Sequence, residues 1–284
     1  MDEQHPASIE RHAVKPRRPW LAALLSLVAT GVGQVYNGKW KKGVGFLVAE
    51  LVLALAMLPL FGNFTSLVLF ITFLLGFNVF VAVEAYTTAK ELGQFVPGRS
   101  NRWWVYAAFV AGGLALGGAF ELTADTWFYR TYQTPTASMA PTIRAGDRFM
   151  VEVLGRNASV ERGDIVVFRA PDGEDRDFVK RVVALPGETV EISNKTVMVD
   201  GQPLNEPYAF HLDSAEVPAR DDLGPYAVPQ GSYFVMGDNR EKSLDSRFLG
   251  PIGREWITGR ALYIYFPADA GAEGWADRLG VELR

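Results

Sequence analysis

The chain has 284 residues, with 28 Lys and Arg against 32 Asp and Glu, so its formal net charge is only −4. This balance provides no basic field to attract nucleic acid, and we expect no nucleic-acid partner. The sequence contains no cysteine, which excludes thiol catalysis and cysteine-ligated metals. Its three histidines, His5, His12 and His211, lie in no motif, which excludes a Ser-His-Asp triad and an H-E-x-x-H zinc site. We expect no cofactor and no metal.

The two halves of the chain differ in kind. Up to about residue 121 long runs of Leu, Val, Ala, Phe and Gly dominate, whereas from Asp125 onward apolar and polar residues alternate between frequent turn signals. We therefore predict a tail over residues 1–18, a helical membrane region over 19–122 and an all-β domain over 123–284.

Three stretches of the membrane region are long and apolar enough to span a bilayer, which takes about 20 residues of helix. They lie near residues 43–61, 64–86 and 104–121. A fourth stretch, near 20–36, has a shorter apolar core followed by Gly31, Gly33 and Gln34. This segment is either re-entrant or spanning.

Positive charge selects the topology, because Lys and Arg collect on the cytoplasmic side of a membrane. Three basic clusters flank the apolar stretches, namely Lys15, Arg17 and Arg18, then Lys39, Lys41 and Lys42, and finally Lys90, Arg99 and Arg102. Placing all three in the cytoplasm puts the β domain outside and makes the segment 20–36 re-entrant or interfacial. If that segment spans instead, the N-terminus lies outside against its own charge.

Two acidic residues, Glu50 and Glu84, fall inside or near apolar spans. An ionisable side chain within a membrane is a candidate functional group. A contact between helices, or a side chain that reaches to the interface, is the alternative that we favour for both.

The C-terminal half reads as short strands separated by Gly and Pro. The predicted strands cover residues 149–154, 164–168, 178–184, 189–192, 196–199, 233–236 and 261–266. Asp200-Gly201 predicts a tight hairpin turn, and residues 188–232 predict a secondary β subdomain.

Three segments of this half carry polar groups that could form a site. Ser138 lies in a Thr-, Ala- and Pro-rich loop, which by itself is typical of a solvated turn. Lys180 lies in a predicted strand, where lysine is ordinarily solvent-exposed. Its strand face also carries Phe178 and Val182, however, and burial would lower its pKa so that it could accept a proton. The third segment, residues 237–247, is dense in polar and charged groups after an apolar strand.

In chain order, the segments PTASMAPT, GDIVVF, FVKRVVALPGE and GDNREKSLDSRFLGPI resemble the successive conserved boxes of the type I signal peptidases, the Ser/Lys-dyad leader peptidases of bacteria. The resemblance covers roughly residues 133–266. It implies a signal-peptidase-like β fold with Ser138 as nucleophile and Lys180 as general base. It also implies that Ser243 orients Lys180 and that the Thr136 hydroxyl joins the Ser138 amide in an oxyanion hole. The same resemblance assigns a supporting role through ion pairs to Arg181, Asp238, Asp245 and Arg247.

The sequence departs from this family at two places. Ala137 stands where Gly is common, and Thr136 stands where Ser is common, so that an extra methyl group restricts the rotamer of the oxyanion donor. Upstream, an additional apolar block contains GVGQVYNGKWKKG, residues 31–43. This stretch is similar to the Gly-Gln-x-Tyr-Asn-Gly pattern of small two-helix membrane modules, and we assign it no activity.

The resemblance implies a multi-pass enzyme of the bacterial cytoplasmic membrane, with its catalytic domain on the extracytoplasmic, periplasmic side. Its substrates would be secretory preproteins, whose signal peptides are cleaved after small residues through an acyl-enzyme. Membrane lipid is an expected partner, and the export machinery remains open as another. Two alternatives are a dedicated Ser/Lys protease that matures one secreted substrate and a catalytically idle scaffold for membrane assembly. An idle copy would be expected to lose Ser138 or Lys180, and both are present.

Overall fold

The computed structural model describes residues 16–92, 95, 101–170, 176–268 and 274–283. Lys15, Arg99 and most of the predicted tail lie outside the described residues. The chain divides into two compact units. The helical unit contains the residues before Leu60 together with Leu67–Thr123, and the β unit contains Leu60–Ser66 together with Ala124–Arg284.

Among the described residues, the helical unit contains five α-helices. They are α1 Pro19–Val28, α2 Val32–Tyr36, α3 Trp40–Met57, α4 Phe64–Glu91 and α5 Trp103–Trp127. The first residues of α4 and the last residues of α5 belong to the β unit. Three helical stretches, Trp40–Leu60, Phe64–Glu91 and Trp103–Trp127, are long and apolar enough to cross a membrane. The three predicted spans are confirmed as candidate spans. α4 and α5 run past the predicted ends at 86 and 121 because no Gly or Pro follows there to end them.

The short helices α1 and α2 form a segment that turns back on itself. At a rise of about 1.5 Å per residue, α1 reaches about half the thickness of a bilayer core. Gly31 turns the chain with a φ of 91°, and a Cβ at this position would lie 2.3 Å from the Gly43 carbonyl oxygen. The two ends meet, since the Arg18 amide donates to the Tyr36 hydroxyl over 3.3 Å and the Arg17 guanidinium lies 4.2 Å from the centre of the Tyr36 ring.

Polar side chains connect the helices α2, α3 and α4. The buried Gln34 amide donates to the Val81 carbonyl over 2.9 Å and to Glu84 Oε2 over 2.8 Å, and Lys42 forms an ion pair with Glu84. Glu50 Oε1 accepts a hydrogen bond of 3.1 Å from Asn78 Nδ2. Both carboxylates therefore lie at contacts between helices, as the favoured interpretation predicted.

The β unit is built from eleven strands among the described residues. They are β1 Tyr129–Gln133, β2 Arg148–Val153, β3 Ile165–Arg169, β4 Asp177–Ala184, β5 Thr189–Ser193, β6 Thr196–Val199, β7 Gln202–Pro203, β8 Leu223–Ala227, β9 Ser232–Met236, β10 Ile252–Gly253 and β11 Ile257–Phe266. The β domain, predicted as all-β, is confirmed as a β-rich domain, with two short helices, α6 Pro218–Asp221 and α7 Ser246–Leu249, between strands.

The larger sheet has the strand order β1-β2-β11-β3-β4-β9-β10, and the pairs between its strands are antiparallel. The alternation of side chains along these strands buries an apolar layer formed by Met139, Ile143, Phe149, Val151, Ile165, Val167, Ala261, Ile264 and Leu283. Because Met139 belongs to this layer, the residue before it is fixed in position.

The second sheet has the order β7-β6-β5-β8 and lies within the stretch for which a β subdomain was predicted. Its β6–β7 hairpin turns at Asp200 and Gly201, whose φ angles are 51° and 75°. Two successive residues of positive φ are what a tight hairpin turn requires, so the turn predicted from Asp-Gly is confirmed.

The connection between α3 and α4 packs onto the larger sheet. The Tyr263 hydroxyl on β11 donates to the Phe61 carbonyl over 2.9 Å, and the Phe64 ring meets the Tyr263 ring edge-on at 5.9 Å. The Phe61 ring lies 6.1 Å from the Tyr129 ring at the start of β1. These contacts explain why Leu60–Ser66 belongs to the β unit.

Candidate active site

The predicted nucleophile, Ser138, lies in the loop that follows β1. Its side chain is almost fully buried, and the next residue, Met139, anchors the loop in the apolar layer. The Asn239 amide donates to the Ser138 carbonyl over 3.1 Å, which fixes the backbone from the other side. The Ser138 hydroxyl is therefore held by its neighbours along the chain and by a segment from beyond β9.

The predicted base, Lys180, lies in the middle of β4, opposite Val166 of β3. Only 3% of the residue is exposed to solvent. Its ammonium nitrogen lies 3.0 Å from Ser138 Oγ and 2.8 Å from the Val179 carbonyl oxygen. The Phe178 ring, stacked on Phe168 at 5.7 Å, provides an apolar neighbour. The structure thus brings the predicted nucleophile and base into direct hydrogen-bond contact.

Burial lowers the pKa of Lys180 to about 8, because the charged ammonium loses its hydration. The carboxylates of Asp245 and Asp238 oppose this shift through their negative charge. The neutral amine is consequently populated near neutral pH, which an exposed lysine would not allow.

The Thr136 hydroxyl lies 3.2 Å from Ser138 Oγ. The methyl group, which distinguishes this residue from serine, does not prevent the hydroxyl from facing the predicted nucleophile. A donor at this place is close enough to contact a group that is bonded to Ser138 Oγ.

Arg181 follows Lys180 on β4 and points to the opposite face of the strand. Its guanidinium forms a two-pronged ion pair with Asp238, at 2.9 and 2.8 Å, and donates to the Gly163 carbonyl over 2.8 Å. Both side chains are buried. Asp238 also accepts a hydrogen bond of 2.6 Å from the Thr142 hydroxyl, so the ion pair reaches the loop that carries Ser138.

A second ion pair, between Asp245 and Arg247, closes the polar segment after β9. The two residues meet through two contacts of 2.9 Å, and Asp245 also accepts a 3.0 Å hydrogen bond from the Gly237 amide. The Arg247 guanidinium donates to the Arg240 carbonyl over 2.7 Å. These contacts hold residues 237–247 as a compact turn beside the lysine.

Ser243 lies in this turn and is buried. Its hydroxyl has no hydrogen-bond partner among the described residues. A Cβ atom at Gly237 would lie 2.2 Å from Ser243 Oγ and 2.5 Å from the Ser138 carbonyl oxygen. Gly237 therefore allows the turn and the serine loop to approach closely, whereas the role predicted for Ser243 remains a prediction.

A groove of about 340 Å³ opens beside Ser138 and Lys180. One wall is formed by residues 132–136 and the other by residues 176–180, with Lys242 and Leu244 at the rim. The Tyr132 hydroxyl donates to Asp177 across the groove over 3.0 Å. Within the described part of the chain, no group of three or more His, Asp or Glu side chains is placed to hold a metal ion.

The family model described as signal peptidase, peptidase S26, matches residues 102–266. The chain belongs to this family. It is therefore a serine peptidase of the signal peptidase I type, and the part of the chain that the structure describes carries three apolar helices that are able to cross a membrane.

Curated relatives support the same assignment. A signal peptidase I of Bacillus licheniformis is 35% identical over 172 residues, which cover 58% of this chain and 88% of the relative. A probable signal peptidase I-1 of Synechocystis is 43% identical over 142 residues, or 47% of this chain and 69% of the relative. A solved signal peptidase I from Enterococcus faecalis V583 is 32% identical, with a TM-score of 0.30 over 36% of this chain and 97% of that one.

Some residues of this signal peptidase site escaped the sequence analysis. Asn239 and Gly237 approach the serine loop, and Thr142, inside that loop, donates to Asp238. A buried pair between Arg240 and Glu206, at 2.7 and 3.0 Å, supports the turn after β9. Asp147 ends the serine loop and is held by Arg278 over 2.7 and 3.0 Å. Thr142, Gly237 and Asn239 lie inside the quoted motifs and could have been found there, whereas Glu206 and Arg278 lie in segments that carry no signal of their own.

Proposed function

We propose that this protein is a membrane-bound serine endopeptidase that removes N-terminal signal peptides from exported preproteins, cutting after small residues. The observation that carries the proposal is the 3.0 Å contact between Lys180 Nζ and Ser138 Oγ in a buried setting. A hydroxyl beside a desolvated amine is an arrangement for acyl transfer that needs neither histidine nor metal.

The reaction proceeds through an acyl-enzyme. The neutral amine of Lys180 takes the Ser138 proton as the oxygen attacks the scissile carbonyl, and the resulting ammonium then protonates the departing amine. The nitrogen is neutral again and activates a water molecule, which attacks the ester and releases the signal peptide. Since the pKa of Lys180 is about 8, a proton can move in both directions near neutral pH.

The negative charge that develops on the carbonyl oxygen requires donors at the site. The Thr136 hydroxyl, which lies 3.2 Å from Ser138 Oγ, and the Ser138 backbone amide are the candidates. Ser243 would orient the lysine, since its buried hydroxyl has an unused hydrogen bond to offer. Arg181 with Asp238, and Asp245 with Arg247, would hold the strand and turn on which these groups depend.

The groove supports binding of an extended peptide. Strand β9 pairs with β4 from Arg181 onward, so that in the described ladders the second edge of residues 177–179 has no strand partner. A substrate can add a strand there, with main-chain hydrogen bonds for affinity and side-chain pockets for specificity. As the family resemblance implies, we expect small residues near the cut.

The structure also supports a multi-pass topology with the β unit outside the cytoplasm of a bacterial cell. Lys39, Lys41 and Lys42 stand at one end of α3, and the loop at its other end packs on the β unit. The positive-inside rule then places the lysines in the cytoplasm and the loop and β unit opposite. Because the ends of the α1–α2 segment meet through Arg18 and Tyr36, we infer that this segment is re-entrant.

The test is cleavage of a secretory preprotein with an Ala-x-Ala site by the purified full-length chain in detergent. We expect wild type to cut after the second Ala, and Ser138→Ala and Lys180→Ala to be inactive. Ser159→Ala, at an exposed loop position of the same domain, is the matched control and should cut normally.

Activity that survives Ser138→Ala would overturn the mechanism. Cleavage of one native secreted protein but of no general preprotein would favour the dedicated protease, and failure on every substrate would favour the idle scaffold. Export machinery as a partner would be tested separately, by co-purification from membranes.

A further inference from the structure

The loop Leu60–Ser66 connects two helices that are long enough to span a membrane, yet it belongs to the β unit. Only 8% of Phe61 is exposed to solvent, and Tyr263, its hydrogen-bond partner, is fully buried. The Tyr263 hydroxyl donates to the Phe61 carbonyl over 2.9 Å, across 202 residues of sequence. A loop that merely reversed the chain between two helices would not need to bury an aromatic ring or a hydrogen bond.

The β unit has a face that is shaped to receive this loop. We call it the aromatic face and define it by Tyr129, Tyr263 and Gly280. A Cβ atom at Gly280 would lie 2.4 Å from Phe64 Cδ1, so a larger residue would collide with the loop, and its φ of 78° also favours glycine. The rings of Phe61 and Phe64 pack against Tyr129 and Tyr263 at 6.1 and 5.9 Å. Aromatic contacts at these distances add specific geometry to the burial of apolar area.

The aromatic face lies beside the elements that lead to the catalytic serine. Tyr129 is the first residue of β1, which runs directly into the loop of Thr136 and Ser138. Tyr263 lies on β11, which pairs with both β2 and β3. A loop that packs on both β1 and β11 therefore restrains the sheet that carries the serine loop.

We propose that the loop Leu60–Ser66 is a structural part of the catalytic domain, docked on the aromatic face, and that the helices α3 and α4 serve to deliver it. This gives the N-terminal membrane block a function that does not depend on binding a ligand. The catalytic domain would be fastened to its membrane helices at the loop as well as through α5.

Cross-linking in the full-length chain tests the docking. The sequence lacks cysteine, so introduced thiols are the only ones present. Gly62 and Glu282 line one small cavity of about 220 Å³, so we expect Gly62→Cys with Glu282→Cys to be bridged by a short bis-maleimide. A protease site inserted between Leu92 and Asn101 reports the bridge, because bridged halves stay together after cleavage. Gly62→Cys with Gly224→Cys, whose second site lies on β8 of the other sheet, is the control. Equal bridging of both pairs, or of neither, would refute the docking.

Thermal unfolding of the β unit in detergent tests the structural role. It is monitored as the loss of resistance to a protease. We expect Phe64→Ala to lower the midpoint by about 4–8 °C and Tyr263→Phe to lower it by about 2–4 °C. The double variant should lose less than the sum, because both changes remove parts of one contact. Phe73→Ala, at an exposed ring farther along α4, should leave the midpoint unchanged. Strictly additive losses, or no loss for Phe64→Ala, would contradict the proposal.

Discussion

Lys180 Nζ and Ser138 Oγ lie 3.0 Å apart, although 42 residues separate them along the chain. The contact depends on β4 bringing the lysine beneath the serine loop and on the burial of both side chains. Burial has two opposite effects on the lysine: it supplies the neutral amine that a base requires, and it penalises the ammonium that the folded protein must otherwise carry. Both effects can be measured.

The activity should depend on pH through Lys180. Because its pKa is about 8, kcat/KM should rise about tenfold per pH unit between pH 6 and 7.5 and level off above about 8.5. A fluorogenic peptide that has no group titrating in this range would provide the measurement. A profile that is flat from pH 6 to 8 would show that the amine is not the base.

Replacement of the lysine should raise stability while it abolishes activity. In the unfolded chain the pKa of Lys180 returns to the ordinary lysine value of 10.5, so between about pH 8 and 10.5 the unfolded state binds more protons and native stability rises with pH. Below pH 8 the penalty is fully present. The free energy of unfolding of Lys180→Met should therefore exceed that of wild type by roughly 2–3 kcal/mol at pH 6.5.

The gain from Lys180→Met should shrink above pH 8 and vanish near pH 10.5, as followed by thermal unfolding in detergent across that range. Lys41→Met, at an exposed lysine, serves as the control and should show no such trend. A stability difference that is independent of pH would contradict the burial argument.

Loss of Asp238 should be costly for both fold and activity. Asp238→Ala leaves the buried guanidinium of Arg181 without its partner, and breaking such a pair costs about 3–5 kcal/mol. It also removes the acceptor of the Thr142 hydroxyl, so turnover should fall even below the unfolding temperature. Glu152→Ala, which breaks a partly exposed pair with Arg260, should cost under about 1 kcal/mol when both variants are unfolded with denaturant.

A single methyl group at Gly237 should disable the site. A Cβ at this position would lie 2.5 Å from the Ser138 carbonyl oxygen, which is backbone and cannot move without displacing the Ser138 side chain. We expect Gly237→Ala to lower kcat at least about 100-fold, since a shift near 1 Å is enough for this effect. Gly224→Ala, which has open space around its Cβ, should retain normal kinetics in the same peptide assay.

The oxyanion role of Thr136 predicts an effect on kcat rather than on KM. Thr136→Val keeps the shape and removes the hydroxyl, so kcat should fall about 100- to 1,000-fold. Thr136→Ser keeps the hydroxyl and should retain most of the activity. If Thr136→Val and Thr136→Ser lose the same amount, the methyl group and not the hydroxyl matters at this position.

The sequence could place much of the site because its signal is local. The motif around Ser138 and the strand of Lys180 are short segments, and period-two alternation put Phe178 and Lys180 on one face. The ion pair of Arg181 with Asp238 spans 57 residues, and its geometry depends on β9 lying beside β4, which no local pattern states. The resemblance supplied these residues, but not their hydrogen bonds.

Several elements of the fold could not be predicted for related reasons. Strand β1 reads YRTYQ and β8 reads LGPYA, and neither has the apolar alternation that indicates a strand. Strand β11 begins at Ile257, whereas the predicted strand began at residue 261. The prediction missed the first residues because Thr258 and Gly259 interrupt their apolar pattern. In the sequence, the loop at Gly62 and Asn63 looks like a simple reversal between two membrane helices, and nothing in it predicts a contact with Tyr263.

The hydrogen bond from Tyr263 to Phe61 also constrains the order of biosynthesis. Its acceptor emerges from the ribosome between two helices that enter the membrane, whereas its donor is made 202 residues later. Strand β2 likewise waits for β11. The larger sheet therefore cannot close until β11 has been synthesised, and strand edges stay exposed until then. Membrane insertion of the early helices keeps one of the docking partners in place until the last strand arrives.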